Sequence, residues 1–291
     1  MQIVVYYIMN KISKNIETAI CVDYLTGKYL QLELAQKYDI HRRTVQKILE
    51  RNTIPKREHG DYESKKYVND AFFEPLSAIS SYWLGFIYGD GNIDKNNLRI
   101  MLSIKDLNHL EHFKEDIESE HLIRVGTKPS IYSTTGEVEF CKLAISRKSL
   151  VDTLKIYRLH ENKTNRIRLP NLNNKLLPHF VRGYFDADGC ISITNTNRCM
   201  VTFTGNYEFI DSLQNLLIDT ISINTTKIIK GKGDCYSLFK SSKKDLLSLY
   251  NYMYKDNIRC LQRKFDKFTK TVALISNGKV KSGWIQGTPK S

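Results

Sequence analysis

The sequence predicts an α+β protein: two copies of a helix–hairpin–helix–hairpin–helix unit, preceded by a small all-α unit. Three observations carry this. Two nine-residue segments, Trp83-Leu84-Gly85-Phe86-Ile87-Tyr88-Gly89-Asp90-Gly91 and Val181-Arg182-Gly183-Tyr184-Phe185-Asp186-Ala187-Asp188-Gly189, stand 98 residues apart and end alike. The same order of alternating strands and amphipathic helices follows each, a repeat that does not depend on the short segments themselves. Residues 16–52, in contrast, carry only short helical periodicities.

In that first region, Ile16, Ala19, Ile20 and Val22 to Leu25 form an amphipathic stretch that Gly27 stops. Leu30, Leu32, Leu34 and Ala35 form a second, ending near Tyr38, and Asp39-Ile40 is the turn into a third with Val45, Ile48 and Leu49 inward. A short helix, a tight turn and a helix bearing Arg42, Arg43, Gln46 and Lys47 resemble a helix-turn-helix DNA reader. An ordinary helical hairpin with a solvated basic face is the alternative. The unit is assigned to residues 1–57 and a linker to 58–77, from the Pro55 and Gly60 breakers and the mixed charges between them.

Each nine-residue segment reads as an apolar helix with small residues four apart, Gly85/Gly89 and Gly183/Ala187. Small residues at that spacing share one face and let a partner helix approach closely. The Asp-Gly ending suits a left-handed cap at the glycine and leaves an aspartate at the helix C-terminus, where the macrodipole disfavours it. If the two faces pack together, Asp90 and Asp188 become neighbours and repel. A divalent cation relieves both penalties, so the pair is a candidate metal site.

After the first motif come strands over Asn92–Asp94 and Leu98–Ile104 with a turn at Asn96-Asn97, then a helix from Asp106 to about Ile117. A hairpin around Gly136 and a helix near Leu150–Tyr157 complete the copy. The second copy has strands over Cys190–Thr196 and Met200–Thr204 and a helix over Tyr207–Leu217. Its later hairpin turns near Gly231–Gly233, and a helix spans Lys244–Tyr254. The halves are placed at 78–160 and 161–272, with a flexible tail over 273–291. Strand alternation turns Leu98, Ile100, Leu102 and Ile104 inward and Arg99, Met101 and Ser103 outward. In the second copy it turns Ser192, Thr194, Thr202 and Thr204 outward. Such a face can hydrogen-bond base edges in a major groove or be a merely wet sheet face.

Composition sets the partner class. The net charge of +13 favours a polyanion. It is uneven: 12 Lys/Arg against 9 acids over 1–70, 11 against 12 over 71–160, and 21 against 10 over 161–291. Six cysteines without a C-x-x-C pair argue against structural zinc and a disulfide framework. The scattered His109, His112, His121 and His179 form no metal-binding array. The apolar opening, Met1 to Met9, lacks a basic leader and is too short to span a bilayer. A soluble protein is expected, in the cytoplasm of a bacterial or phage-infected cell or in an organelle matrix.

The paired segments resemble the motifs of the LAGLIDADG homing endonucleases, in the single-chain form with both motifs in one polypeptide. The resemblance covers about residues 78–270 in this reading. It implies two pseudo-symmetric αββαββα halves meeting at the motif helices and forming a β-saddle over DNA. It places Asp90 and Asp188, with Gly89 and Ala187 beside them, at the catalytic metals, Mg²⁺ or Mn²⁺. All-oxygen ligation suits magnesium. Asp186 matches the family's first aspartate, where the first motif has Tyr88. A basic residue after the last helix of each half completes the family's site. Here Lys163 follows Asp90 by 73 residues and Lys264 follows Asp188 by 76. The implied activity is a monomeric, sequence-specific double-strand DNA endonuclease of intron homing. The alternatives are a group I intron maturase, a non-cleaving transcription regulator of the same fold, and an intein remnant, for which no splicing residues are visible.

Overall fold

The computed structural model describes residues 12–27, 29–55, 66–131, 133–161, 163, 166–256 and 258–279. The chain divides into two compact units, residues 1–67 and 68–291.

In the first unit, α1 (Lys14–Leu25), α2 (Gln31–Lys37) and α3 (Arg42–Arg51) pack around Ile20, Leu34, Val45 and Ile48. Gly27 is left-handed at φ 79°, which stops α1. The α2–α3 turn is closed by the Ile40 N–H donating to the Ala35 carbonyl at 2.9 Å, with Asp39 left-handed at φ 49°. Arg42, Arg43, Gln46 and Lys47 are all exposed, and Gln46 donates to Glu50 at 2.7 Å. Lys66 lies 2.6 Å from Glu33 and belongs to this unit. The assigned linker is therefore partly structure: Val68 and Phe73 are buried in the second unit, while residues 56–65 lie outside the described residues.

The second unit is an internal duplication. Its first half runs α4 (Ala78–Asp90), β1 (Gly91–Asp94), β2 (Asn97–Ser103), α5 (Leu107–Asp116), β3 (Arg124–Pro129), β4 (Glu137–Ser146) and α6 (Lys148–Ile156). The second runs α7 (Leu177–Asp188), β5 (Gly189–Ile193), β6 (Cys199–Gly205), α8 (Tyr207–Ile221), β7 (Ile229–Lys230), β8 (Tyr236–Lys240), α9 (Lys243–Tyr254) and a further helix, α10 (Gln262–Ser276). Both antiparallel sheets have the same order, β1-β2-β4-β3 and β5-β6-β8-β7. The αββαββα repeat is thus present twice.

α4 and α7 form the centre. Every residue of α4 from Ser80 to Tyr88 is buried, as a helix apolar all round requires. α7 buries Arg182 as well. Its guanidinium donates to the Arg259 carbonyl at 2.7 Å and to the Met253 carbonyl, with His179 Nδ1 at 3.0 Å. These partners offset the cost of an interior charge.

Four expectations need correction. Gly91 and Gly189 are extended, at φ −76° and −88°, not left-handed. Glycine is required there for space: a Cβ would lie 2.6 Å from the Ile87 carbonyl oxygen at 91 and 2.5 Å from the Phe185 one at 189. The first hairpin turns at Lys95-Asn96, one residue early, because Asp94 pairs with Asn97 and Lys95 takes φ 50°. Ile104 is half-buried in a 3-10 turn over Ile104–Asp106, not in the strand. α10 runs to Ser276 and buries Ile275, so the tail assigned from 273 begins inside a helix; residues 280–291 lie outside the described residues.

Candidate active site at the end of the helix pair

The site follows from how closely α4 and α7 approach. A Cβ on Gly85 would sit 2.0 Å from the Phe180 carbonyl oxygen, and one on Gly183 would sit 1.9 Å from that of Tyr82. Phe180 and Tyr82 occupy equivalent places in the two helices, so the contact is pseudo-two-fold. One turn on, a Cβ on Gly89 would lie 2.3 Å from the Ala187 Cβ and 3.1 Å from the Asp188 carboxyl carbon. The small residues at 85, 89, 183 and 187 therefore bring the two helix ends, and with them Asp90 and Asp188, together.

Both acids keep solvent contact, yet neither is at ease. The surrounding protein strips hydration from the Asp90 carboxyl, and the Asp188 charge adds to this, pushing its pKa up to about 6. Burial also raises Asp188. Two lysines oppose the shifts in a crossed pattern. Lys264 is the larger favourable charge for Asp90, and Lys163 for Asp188.

Each lysine closes one helix. Lys163 Nζ donates to the carbonyls of Ile87, at 2.8 Å, and of Tyr88 and Gly89. Lys264 Nζ donates to those of Phe185 (2.8 Å), Asp186 (2.7 Å), Ala187 (3.2 Å) and Gly189 (2.6 Å). These are the last carbonyls of each helix, with that of the Gly189 cap, and a cation there complements the macrodipole. Burial pushes the Lys163 ammonium down to about 8 and lowers Lys264 as well, while the acids pull both back up. Lys264 lies after α9, in the first turn of α10.

Position 186 shows something sequence reasoning missed. Asp186 is buried; its Oδ2 accepts from the Leu261 N–H at 2.7 Å and from the Tyr82 hydroxyl at 2.8 Å. Burial is the main cause that raises its pKa to about 6. Its counterpart Tyr88 donates to the Tyr157 carbonyl and packs edge-on against Phe180 at 5.0 Å. A cleft of about 360 Å³ opens beside Asp188, lined among others by Gly89, Lys163, Tyr184, Lys232 and Asp234.

The sheets begin where the motif helices end. Arg99 and Ser103 face away from the core, as expected, and Arg99 lies 3.0 Å from Asp94. Cross-strand register puts Met101, Lys142 and Arg124 on the same face. Lys128 shares it, with its Nζ 3.8 Å from Met101 Sδ. Those basic residues were not singled out because only the pairing register reveals them. In the second sheet Ser192, Thr194 and Thr204 are partly exposed, but Thr202 is 9% exposed, hemmed in between Cys190 and Phe239.

For a metal, the donor chemistry fits. Among the described residues no group of three or more His, Cys, Asp and Glu stands together. The side-chain donors are the two carboxylates, all oxygen, with raised pKa values that a cation would relieve. Magnesium characteristically takes one or two carboxylates and keeps water and phosphate as its remaining ligands. The carbonyls of Gly89 and Ala187 are engaged by the two lysines.

Residues 177–254 match the family model described as a LAGLIDADG-like domain. A relative named homing endonuclease I-DmoI, from Desulfurococcus mucosus, is 24% identical over 146 residues, 46% of this chain and 71% of that protein. A probable translation initiation factor IF-2 from Methanocaldococcus jannaschii is 29% identical over 187 residues. That match takes in 61% of this chain and only 14% of the relative's length. Among solved structures, the LAGLIDADG homing endonuclease I-GzeII in complex with its DNA target is similar at TM-score 0.49 and 12% identity, over 70% of this chain and 92% of that one. Among the described residues no helix is long and apolar enough to cross a membrane.

Proposed function

We propose that the protein is a site-specific double-strand DNA endonuclease of the homing type, acting as a monomer on both strands. The observation that supports this most directly is the pairing of Asp90 and Asp188 at the end of two helices. They are held together by reciprocal glycine contacts and flanked by two lysines. A fold selected for stability alone would not place two acids at adjacent helix C-termini, where macrodipole and mutual repulsion both oppose them.

Asp90 and Asp188 would hold divalent cations, Mg²⁺ or Mn²⁺, with Gly89 and Ala187 beside them. When bound, such an ion neutralises charge on the scissile phosphate and lowers the pKa of the attacking water. The chain's own contribution is positioning. Lys163 and Lys264 keep positive charge at the two helix ends, next to where each phosphate would sit. Burial lowers Lys163 to about 8, which lets it exchange a proton near neutral pH, and moves Lys264 in the same direction. The outward sheet residues Arg99, Ser103, Ser192, Thr194 and Thr204 would face the duplex grooves. The first unit would add a second contact through Arg42, Arg43, Gln46 and Lys47.

Asp90→Asn and Asp188→Asn should each lower double-strand cleavage by at least about 100-fold while specific binding persists. The check is cleavage of a genomic DNA library with Mg²⁺, with end mapping, alongside gel-shift binding. Sustained binding without cleavage by the unaltered protein would instead identify a non-cleaving relative, a maturase or a transcription regulator.

A further inference from the structure

The motif helices share the reciprocal contact of Gly85 and Gly183 with the partner backbone and diverge at the position of Tyr88 and Asp186. The divergence has a chemical logic. Leu261 is the residue on which α10 starts, and the start of a helix presents unpaired N–H groups. An acceptor is needed there, and Asp186 accepts the Leu261 N–H at 2.7 Å. Tyr157 ends α6, and a helix end presents unpaired carbonyls. A donor is needed there, and the Tyr88 hydroxyl donates to the Tyr157 carbonyl.

Both anchored segments lead directly to a lysine of the site. Lys264 is three residues past Leu261, and its backbone N–H bonds back to the Leu261 carbonyl at 2.9 Å. Its Nζ returns to the Asp186 carbonyl at 2.7 Å. One residue of the motif helix therefore holds the lysine segment at both ends, by side chain at Leu261 and by backbone at the ammonium. Lys163 is six residues past Tyr157, and its Nζ returns to the Tyr88 carbonyl. In each half a motif residue holds one end of the segment by its side chain and the lysine by its carbonyl, over three residues in one half and six in the other. A core built for packing alone would carry an apolar side chain at 186, since a buried carboxylate gains little unless its hydrogen bonds are needed.

We propose that Asp186 and Tyr88 are positioning residues, each tethering the lysine-bearing segment of its own half so that the ammonium stays at the end of its motif helix. The proposal rests on the endonuclease reading for its catalytic consequence, not for the tether itself.

Two measurements test it. The first is acetylation of Lys264 and Lys163 by an amine-reactive ester, read by peptide mass spectrometry on the full chain. The fully buried Lys240 serves as a folding control. Asp186→Ala should raise Lys264 labelling several-fold and leave Lys163 and Lys240 protected; Asp186→Asn, whose amide oxygen can still accept from Leu261, should not. Tyr88→Phe should do the converse, exposing Lys163 alone. The second is cleavage of a plasmid carrying the mapped site, with each strand labelled. Asp186→Ala should slow one strand by about 10- to 100-fold and accumulate nicked product, Tyr88→Phe should slow the other, and Asp186→Asn should restore both. Unchanged Lys264 protection in Asp186→Ala, or equal loss on both strands, overturns the proposal. If Asp186→Ala does not fold, as loss of Lys240 protection would reveal, Tyr88→Phe decides alone, because it removes one hydroxyl and keeps the ring packing. If the unaltered protein does not cut DNA, the endonuclease reading fails while the labelling comparison still decides the tether.

Discussion

The two motif helices are alike in the glycines at which their backbones meet and unlike at Tyr88 and Asp186. Gly85 and Gly183 each bring their helix within about 2 Å, measured to an absent Cβ, of the partner's backbone carbonyl. Tyr88 and Asp186, at equivalent places, share neither size, charge nor partner. A pseudo-two-fold contact constrains both members at once, since either helix moving displaces the other. Tyr88 and Asp186 also touch the opposite helix, at Phe180 and Tyr82, but each reaches on to the end of its own half, and the halves end differently: α6 offers a carbonyl and α10 offers an N–H.

The strongest way to break this comparison is to test the shared contact. Gly85→Ala and Gly183→Ala each force a methyl against backbone, not against a side chain that could swing away. Each should cost at least about 3 kcal/mol, the upper end for overpacking, or prevent folding. The two losses should match within about 0.5 kcal/mol, the scatter expected of independent sites. Urea unfolding of both variants measures this. A large inequality would show that the helices are not equivalently seated.

The unlike position has a signature in pH. Asp186 is raised to about 6, mainly by burial, whereas Tyr88 is shifted far into the alkaline range. Between pH 4 and 6 the folded protein holds a proton on Asp186 that the unfolded chain has released. The native state binds more protons there, so stability falls as pH rises through that window and levels off above it. Asp90 moves in the same direction, so the Asp186 share is the difference from Asp186→Asn. That variant should flatten the fall by about 1–3 kcal/mol. Thermal unfolding at pH 4.5 and 7.5 reads it, and a variant no flatter than the parent would mean Asp186 is ionised throughout.

These contrasts also mark what was legible in the sequence. The acids and the glycines are local features, contained in nine residues each; the repeat showed in the order of strands and helices, and period-two alternation placed β2 and β6. What escaped depended on contacts distant in sequence. Gly91 and Gly189 look like left-handed caps, but their need is clearance over Ile87 and Phe185. Lys163 and Lys264 could be named from the family resemblance, which their offsets support, while their grip on the motif carbonyls could not, because it spans more than 70 residues of chain. The tether from Asp186 to Leu261 was invisible for the same reason. Thr202 alternates as an outward residue, yet its cross-strand neighbours Cys190 and Phe239 cover it.

The final contrast is between the sheets, and it reverses what bulk charge suggests. Residues 161–291 carry 21 Lys/Arg against 10 acids, residues 71–160 only 11 against 12. Yet the outward face of the first sheet gathers Arg99, Arg124, Lys128 and Lys142. The paired outward positions of the second, among them Cys190, Ser192, Thr204, Ser237 and Phe239, are uncharged. The one lysine paired within β6–β8, Lys240, lies on the inner side. It is fully buried, donating to Gln214 at 3.0 Å and Thr226 at 2.9 Å. If the outward faces bind DNA, phosphate contacts by sheet residues belong mainly to the first half, and the second sheet contacts bases through hydroxyls. Each phosphate contact releases counterions and adds about one unit to the slope of log K against log salt. Arg124→Ala and Lys142→Ala should therefore each reduce the slope by about one, while Ser192→Ala and Ser237→Ala leave it unchanged. Arg99→Ala should do less than either, because its guanidinium already lies 3.0 Å from Asp94 and would exchange one anion for another. Equal slopes for the two pairs of variants would show that net charge, not register, decides where the backbone is held.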